Sequence, residues 1–410
     1  MTYIPPFYKK IFHSTRRAFA KYWLSLMPAL QIGITGSQGK TNTSWVVTRI
    51  LSLIGSTMKT DTNLDTIYNV PMTALRVGPW TKFVVFELGV DHPNEMDLHL
   101  QIVKPKIGIV TGISPVHTDQ EHLGSLENLI TEKRKLIEAL PEYGFAILNY
   151  DDTNVREMGN STKAKILWYG TDATNCDVWV DPESIRLSLS GTEFKLFFTD
   201  LKKFFTVTTG LIGKHHIYTI MSALLTFKAA QTFSDMNVSI DRLIDTFNVL
   251  KPLVGRMSIE TGPLGTMILN DSLRANPSST AAGLITLSQI EYTKGKKIVI
   301  LAEMGELQNP QEEHIKIGKL IGDLDIDIVI GIGPMQKYVI EEAVRSGLSK
   351  NDVYFAKDVY DAAIFLKKVL QKGDLIYLKG SLYRHVERVL MILEGKKPPA
   401  DLILEVSKVE

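Results

Sequence analysis

The sequence predicts an α/β protein that contains two parallel sheets covered by helices. In the first half, uninterrupted apolar segments alternate with segments of helical periodicity, which is typical of strands buried on both faces. The apolar segments are Lys82–Leu88, Lys106–Thr111 and Gly144–Asn149, and the clearest helical segments are Ser125–Leu140 and His215–Phe233. Residues 163–212 differ, because polar turns separate short alternating strands there. We expect this region to form an added antiparallel sheet.

A second series of strands begins after residue 250. Its members are Thr266–Asn270, Lys297–Ala302, Asp327–Gly331, Val353–Ala356 and Asp374–Leu378. Strands that alternate with helical segments indicate a parallel sheet with helices on both faces. Because Lys251-Pro252-Leu253 separates the two series, we predict a central domain at residues 31–250 and a Rossmann-like α/β domain at 251–410. Residues 1–30 form a separate N-terminal segment.

Composition places the chain among ordinary globular proteins. Its 410 residues suffice for two or three domains, and 44% are hydrophobic and 22% charged. Cys176 is the only cysteine, which excludes a disulfide or a cysteine-based metal site and fits a reducing cytoplasm. No apolar run approaches the roughly 20 residues that span a bilayer. The N-terminus also lacks the features of a signal peptide. We therefore expect a cytoplasmic protein.

The N-terminal segment is strongly basic. Residues 1–30 carry Lys9, Lys10, Arg16, Arg17 and Lys21 and no acidic residue, which leaves −4 for the remainder of a chain of net charge +1. On a helical wheel, the opposite half holds Phe7, Ile11, Phe12, Phe19, Tyr22, Trp23 and Leu26. One interpretation is an interfacial helix, residues 1–27, on an anionic membrane. The other is a helix packed through this aromatic stripe, with its basic face in water.

A glycine-rich turn joins a short apolar strand to a helix between Gly33 and Leu51. The turn and the start of the helix are formed by Gly36, Ser37, Gln38, Gly39, Lys40, Thr41 and Asn42. Such a loop points backbone N–H groups at phosphate oxygens, and a helix N-terminus favours negative charge. Lys40 would reach the terminal phosphates of a nucleotide, and Thr41 would place its hydroxyl on Mg²⁺. The sequence therefore predicts an ATP site in a phosphate-loop ATPase domain.

Three further candidates are expected near this loop, because parallel sheets bind ligands at the carboxyl ends of their strands. Glu87 ends one strand, His117 follows the next, and Lys133 lies one helix later. A carboxylate beside phosphate is a natural Mg²⁺ ligand. The structural alternatives are a strand-end carboxylate paired with a backbone donor, a loop histidine and a solvated helix lysine.

Polar residues also cluster at strand ends in the second half. They are Arg256, Asp271, Arg274 and Asn276, followed by Glu303, His314 and Lys379. Asn276-Pro277 between a strand and a helix has the pattern of a helix N-cap followed by proline in the first turn. A capping role alone is the alternative to a ligand contact at Asn276.

Taken in this order, the segments resemble the Mur ligase family, the ATP-dependent amino-acid ligases of peptidoglycan precursor synthesis. Within that family they are most similar to the branch that adds D-alanyl-D-alanine to UDP-N-acetylmuramoyl-tripeptide. The resemblance runs from about residue 31 to about residue 393 and includes the segments TGSQGKT, ELG, GRM, NDSLRANPSS, LAEMGEL and LKGS.

The resemblance implies a role for each candidate. The implied metal ligands are Thr41, Glu87, His117 and a carbamylated Lys133. The implied nucleotide contacts, besides the glycine-rich loop, come from His216, Arg256, Asp271 and Asn276. The implied substrate contacts come from Glu303, His314 and Lys379. ATP and two Mg²⁺ ions are the implied cofactors.

The sequence departs from the family pattern at several places. Only 30 residues precede the nucleotide loop, too few for the domain that grips the uridine nucleotide in this branch. His216 and Thr219 replace two asparagines of the family's adenine-side segment, and Asn270 replaces an aspartate. Acceptor recognition could therefore come from a partner protein.

The implied activity is ATP-dependent amide ligation of the cell-wall precursor type. An acceptor carboxylate, expected to be muramoyl-peptide-like, would be activated as an acyl phosphate and attacked by the amine of an amino acid or dipeptide. We expect no nucleic-acid partner. Two alternatives stay open, a folylpolyglutamate-synthase-like ligase and a nucleotide-binding subunit without catalysis.

Overall fold

The computed structural model describes residues 7–62, 64–234, 238–380 and 384–398, with side chains from residue 12 onward. The chain divides into two compact units. The first comprises Met1–Ile185, Glu193–Thr208 and His215–Val249, and the second comprises Arg186–Thr192, Thr209–Lys214 and Leu250–Glu410.

Before residue 250, strands and helices alternate along the chain as far as α6, and several strands then follow one another. The strands are β1 (Leu30–Thr35), β2 (Thr57–Lys59), β3 (Phe83–Glu87), β4 (Ile107–Val110), β5 (Phe145–Asn149), β6 (Lys165–Gly170), β7 (Val178–Val180), β8 (Arg186–Ser188), β9 (Gly191–Phe198) and β10 (Lys203–Thr209). The helices are α1 (Phe7–Ser25), α2 (Lys40–Leu51), α3 (Thr66–Arg76), α4 (Glu95–Ile102), α5 (Leu126–Glu138), α6 (Thr153–Met158), α7 (Lys214–Gln231) and α8 (Ile240–Phe247).

The main sheet follows the order β10-β9-β7-β6-β5-β4-β1-β3-β2. The seven neighbouring strands β7, β6, β5, β4, β1, β3 and β2 are all parallel. β7 also pairs with β9, in the antiparallel direction. The expectation of an added antiparallel sheet at 163–212 is therefore wrong for β6 and β7, which extend the parallel sheet, and correct for the pairing of β7 with β9. Short strands whose side chains alternate between exposed and buried do not reveal their pairing direction.

Two glycines let α5 approach the sheet closely. Leu136 of α5 packs where Gly33 of β1 and Gly108 of β4 have no side chain. A Cβ on Gly33 would lie only 2.8 Å from Cδ1 of Leu136. This close packing fixes the position of Lys133, which lies one helical turn before Leu136.

Helix α1 packs through a face that the helical wheel does not identify. Ala20 and Leu24 are fully buried, in a core cluster that includes residues of α3 and α4, and the indole N–H of Trp23 donates to the Val77 carbonyl at 2.8 Å. Among the stripe residues whose side chains the structure describes, Phe12, Phe19, Tyr22 and Leu26 are exposed instead. Of the two interpretations, packing through that stripe is therefore wrong for its described members other than Trp23, because Ala20 and Leu24 make the buried contact. The predicted helix residues 1–6 lie outside the described ranges.

The second unit contains a six-stranded sheet in the order β11-β12-β16-β13-β14-β15. The strands are β11 (Ser258–Thr261), β12 (Met267–Asp271), β13 (Lys297–Ala302), β14 (Ile328–Ile332), β15 (Val353–Ala356) and β16 (Leu375–Lys379). The helices are α9 (Pro277–Gln289), α10 (Pro310–Gly322), α11 (Gln336–Arg345), α12 (Val359–Val369) and α13 (Arg388–Leu393). Only β11 is antiparallel to its neighbour, and apolar clusters cover both faces.

A buried histidine connects three segments at the carboxyl end of β3. The Nε2 atom of His99, on α4, lies 2.9 Å from the Gly89 carbonyl and 3.3 Å from Oγ1 of Thr66. Thr66 donates to the same carbonyl at 3.0 Å. His99 is fully buried, and this burial lowers its pKa to about 4 from an ordinary 6.5. The neutral ring is therefore the stable form in the folded protein.

We predict that the free energy of unfolding falls as the pH drops from about 6.5 to about 4. Over this range the unfolded chain binds a proton at His99 that the folded chain does not, which costs up to about 3 kcal/mol. His99→Gln should reduce this dependence, because glutamine can still donate to Gly89 but does not titrate. Urea unfolding at several pH values measures the slope. His92→Gln, at an exposed ring, is the control, and an unchanged slope in His99→Gln would contradict the assignment.

Candidate active site

The phosphate loop depends on two glycines with positive φ. Gly36 follows β1 with φ of 141°, and a Cβ there would lie 2.1 Å from Oγ1 of Thr111. Gly39 occupies the N-cap of α2 with φ of 80°, in the left-handed region. L side chains rarely adopt these conformations, so the turn requires glycine at both positions.

Neighbouring segments hold the loop in place. The Thr111 hydroxyl donates to the Gln38 carbonyl at 2.5 Å. Ser37 donates through its backbone N–H to the Gly112 carbonyl at 2.8 Å and through its hydroxyl to the Ser114 carbonyl at 2.9 Å. Asp152 in turn accepts the Ile113 N–H at 2.7 Å. The loop is therefore shaped before any ligand arrives, and the N-terminus of α2 heads an anion site.

The structure brings three predicted residues together at this loop. Lys40 donates through Nζ to the Gly36 carbonyl at 2.6 Å, so its amine lies over the loop. The Thr41 hydroxyl lies 3.2 Å from Oε1 of Glu87. This contact follows from the register, because Glu87 pairs with Ile34 of β1, just before the loop. Asn42 is the third residue of α2.

Lys133 is almost completely buried, at 1% exposure. The alternative of a solvated helix lysine is therefore wrong. Burial, followed by the nearby charge of Lys40, places the pKa of Lys133 well below its ordinary 10.5, against the opposing effect of Asp91 and Glu95. The neutral amine is consequently favoured at this position.

Asp91 connects His117 to the same region. The Nε2 atom of His117 lies 3.2 Å from Oδ1 of Asp91, and Asp91 also acts electrostatically on Lys133. His117 has φ of 54°, in the left-handed region, which is costly for a residue with a Cβ. Glu87, His117 and Lys133 thus all lie at the carboxyl end of the sheet.

Sequence reasoning missed the acidic residues that organise this end of the sheet. Glu132 is buried and accepts the N–H groups of Asn94 and Met96 at 3.1 and 3.2 Å, which caps α4. Glu95 accepts the N–H of Asp91 at 2.7 Å. The only signal in the sequence was the acidic segment Asp91–Asp97, directly after the ELG motif.

His216 lies in the first turn of α7 and is buried, with its ring centroid 4.2 Å from that of His215. The same turn is anchored to the end of β5, because the Tyr218 hydroxyl donates to Asp151 at 2.7 Å. The nucleotide contact predicted for His216 stays a prediction.

In the second unit, the buried Lys379 forms an ion pair with Asp271, which is partly buried. They are register partners on β12 and β16, and Nζ of Lys379 lies 2.6 Å from Oδ2 of Asp271. The Tyr377 hydroxyl, which sequence reasoning did not select, also donates to Asp271, at 3.2 Å. Tyr377 is fully buried, and burial together with Asp271 raises its pKa well above 10.

Two more predicted nucleotide residues lie in loops beside this pair. Asn276 caps α9, accepting the Ser279 N–H at 2.8 Å, while Ser279 accepts the Asn276 N–H at 3.1 Å. The capping alternative is therefore present in the structure. Arg256 follows Gly255, whose carbonyl accepts the Leu273 N–H at 3.3 Å. The ligand contacts predicted for Arg256 and Asn276 stay predictions.

The predicted substrate residues Glu303 and His314 flank one loop after β13. Glu303 accepts the Met335 N–H at 2.7 Å and pairs with Arg384. His314 is buried, donates through Nδ1 to the Pro310 carbonyl at 2.6 Å and accepts the Met304 N–H at 3.2 Å. Both ring nitrogens of His314 thus shape the 303–307 loop, and its substrate contact stays a prediction.

Comparison with known proteins identifies the chain. The family model for the Mur ligase middle domain matches residues 34–227, and the model for the Mur ligase glutamate ligase domain matches residues 255–382. The chain belongs to the Mur ligase family. It is an ATP-dependent amide ligase of the Mur type, which confirms the expected enzyme class.

Individual members of the family are similar to this chain over most of their length. The chain is 28% identical over 389 residues to the UDP-N-acetylmuramoyl-tripeptide--D-alanyl-D-alanine ligase of Escherichia coli, covering 94% of this chain and 82% of the relative. Its fold matches MurF from Acinetobacter baumannii with a TM-score of 0.81, at 22% identity, over 94% and 81% of the two chains. It also matches MurF of Thermotoga maritima in complex with ADP, with a TM-score of 0.78, 22% identity and coverage of 94% and 84%.

We predict that Thr111→Val in this ligase weakens ATP binding. The variant loses the hydroxyl that holds the Gln38 carbonyl, at a cost of about 1–2 kcal/mol, so the Kd should rise roughly 5- to 30-fold. Isothermal titration with a non-hydrolysable ATP analogue measures this change. Thr48→Val is the matched control, because the Thr48 hydroxyl bonds only within α2, to the Ser44 carbonyl at 2.7 Å. Equal affinities of the two variants would contradict the role of Thr111.

Proposed function

We propose that this ligase joins a muramoyl-peptide-like acceptor carboxylate to the amine of an amino acid or dipeptide. The observation that carries the proposal is the contact of Thr41 with Glu87 beside the buried Lys133, at the end of the sheet where the phosphate loop lies. The name of the Escherichia coli relative supports the substrate class, because that enzyme adds D-alanyl-D-alanine to UDP-N-acetylmuramoyl-tripeptide.

The proposed reaction has two steps. The acceptor carboxylate attacks the γ-phosphorus of ATP and ADP leaves, which gives an acyl phosphate. The amine then attacks the acyl carbon, loses a proton, and inorganic phosphate leaves as the amide forms. Phosphoryl transfer needs positioning and charge neutralisation rather than covalent help from the protein. The amine of Lys40 and the N-terminus of α2 would supply both at the terminal phosphates.

The oxygen donors at the loop fit a magnesium ion. Thr41 and Glu87 offer a hydroxyl and a carboxylate 3.2 Å apart, and Mg²⁺ prefers oxygen ligands together with substrate phosphates. A second ion would be held by His117 and a carbamylated Lys133. When bound, the ions would neutralise charge that develops on the transferred phosphoryl group.

The environment of Lys133 supports carbamylation. A lysine amine reacts with carbon dioxide only in its neutral form, and burial favours that form here. The reaction forms a nitrogen–carbon bond and releases a proton. It converts a buried neutral amine into an anionic oxygen ligand.

We predict that Lys133→Ala lowers ligase activity at least about 100-fold, because the oxygen ligand is lost. Added acetate or formate should restore part of the activity by occupying the vacated space. Steady-state phosphate release with and without the carboxylate measures the effect. Arg134→Ala is the matched control, since Arg134 lies on the same helix in an exposed pair with Glu138. Full activity of Lys133→Ala without additive would exclude the carbamate.

The substrate test is phosphate release by the purified chain with ATP and Mg²⁺ against paired acceptors and amines. The acceptors are UDP-muramoyl peptides, truncated muramoyl peptides and folates, and the amines are D-alanyl-D-alanine and single amino acids. We expect release that requires both a muramoyl peptide and an amine. Release with folate and glutamate would establish the folylpolyglutamate alternative instead. Tight ATP binding without release under any pair would favour a non-catalytic subunit.

A further inference from the structure

Helix α1 carries an exposed stripe of large apolar side chains. The stripe consists of Phe12, Phe19, Tyr22 and Leu26, and each of these side chains is between 57% and 63% exposed. Their spacing places all four on one side of the helix, because seven residues complete almost two turns. Isolated apolar side chains are common at protein surfaces, whereas a contiguous stripe of this kind marks a contact surface.

The opposite side of α1 is fixed to the first unit, so the stripe cannot turn inward. Ala20 and Leu24 are fully buried there. Arg17 donates to the Ile67 carbonyl at 3.3 Å, which ties the helix to α3. The Arg16 guanidinium lies 5.6 Å from the ring centroid of Phe12 and 5.8 Å from that of Tyr68. Tyr68 is itself 45% exposed, and it extends the apolar surface from α1 onto α3.

The charge around the stripe selects its partner. Residues 1–30 contain five basic residues and no acidic residue, and the guanidinium of Arg16 lies beside Phe12 at one edge of the stripe. A second copy of this chain is disfavoured, because a two-fold contact through α1 would bring two such basic segments together. Aromatic side chains beside a cation, on a helix without acidic residues, suit the headgroup region of an anionic bilayer, where rings enter the boundary and cations meet phosphates.

We propose that α1 docks the protein on the surface of an anionic lipid bilayer, through the stripe of Phe12, Phe19, Tyr22 and Leu26. Within the described ranges, no helix is both long and apolar enough to cross a membrane, so the contact is peripheral. The helix would lie in the plane of the membrane with its Ala20–Leu24 side on the protein. This inference rests on the surface of α1 and is independent of the proposed substrates.

The test is co-sedimentation of the full chain with large vesicles, one set of phosphatidylcholine and one containing about 30% phosphatidylglycerol, at low and high salt. We expect partition into the anionic vesicles only, weakened by salt because the ionic contribution is screened. A variant with Phe12, Phe19, Tyr22 and Leu26 all replaced by Ser should lose at least tenfold in partition. Arg16→Glu should lose several-fold, because it reverses the charge beside Phe12.

The matched control carries Tyr360→Ser and Ile364→Ser on α12, which removes exposed apolar side chains of 53% and 58% exposure from the second unit. This control should bind vesicles like the original chain. Thermal unfolding shows that each variant is folded, and phosphate release shows that its activity with water-soluble substrates is unchanged. Equal binding by the stripe variant and the original chain would overturn the proposal. So would absence of binding by the original chain, or dimerisation in sedimentation velocity that the stripe variant abolishes.

Discussion

The parallel, in-register pairing of β1 with β3 and β4 is the constraint on which the candidate site depends. Because Ile34 pairs with Glu87 and Thr35 with Val110, the residues after all three strands emerge at one edge of the sheet. The strand register itself therefore brings the Glu87 carboxylate and the Thr111 hydroxyl to the phosphate loop. A slip of one residue in either pairing would turn Glu87 or Thr111 to the opposite face of the sheet.

Burial of Lys133 is the second determinant, and it depends on the first. Because Leu136 of α5 packs closely against Gly33 and Gly108, the side of α5 that faces the sheet is buried, and Lys133 is buried with it. An ammonium group is expensive to bury, so the free energy favours a neutral amine despite the nearby Asp91, Glu95 and Glu132. Two of these carboxylates already accept backbone hydrogen bonds. Glu132 accepts the Asn94 N–H at the start of α4, and Glu95 accepts the N–H of Asp91. The surroundings of Lys133 therefore stabilise the neutral amine rather than the ammonium group.

Much of the fold followed from local pattern, and the rest depended on tertiary contacts. Lys297–Ala302 was predicted with its observed bounds, because a strand buried on both faces is apolar throughout. The family and the enzyme class were confirmed, whereas the ligand contacts of the site residues stay predictions. Asp91 and Glu132 were missed because capping and loop contacts have no periodicity. Of the two interpretations of α1, packing through the aromatic stripe was wrong, since a helical wheel shows two faces but not which of them the protein covers.

The ion pair between the buried Lys379 and the partly buried Asp271 is difficult to explain by stability alone. Removing both charges from water costs several kcal/mol each, and well-packed apolar residues of similar size often stabilise a protein as well or better. Tyr377 adds a further polar group that must be satisfied in the same place, and Gly283 leaves the space its hydroxyl needs, since a Cβ there would lie 1.8 Å from that oxygen. Three positions on two elements, Lys379 and Tyr377 of β16 and Gly283 of α9, are thus committed to holding the Asp271 carboxylate at the end of β12. Such an arrangement is expected where a carboxylate must keep its orientation for a ligand, and it agrees with the nucleotide and substrate roles proposed for Asp271 and Lys379.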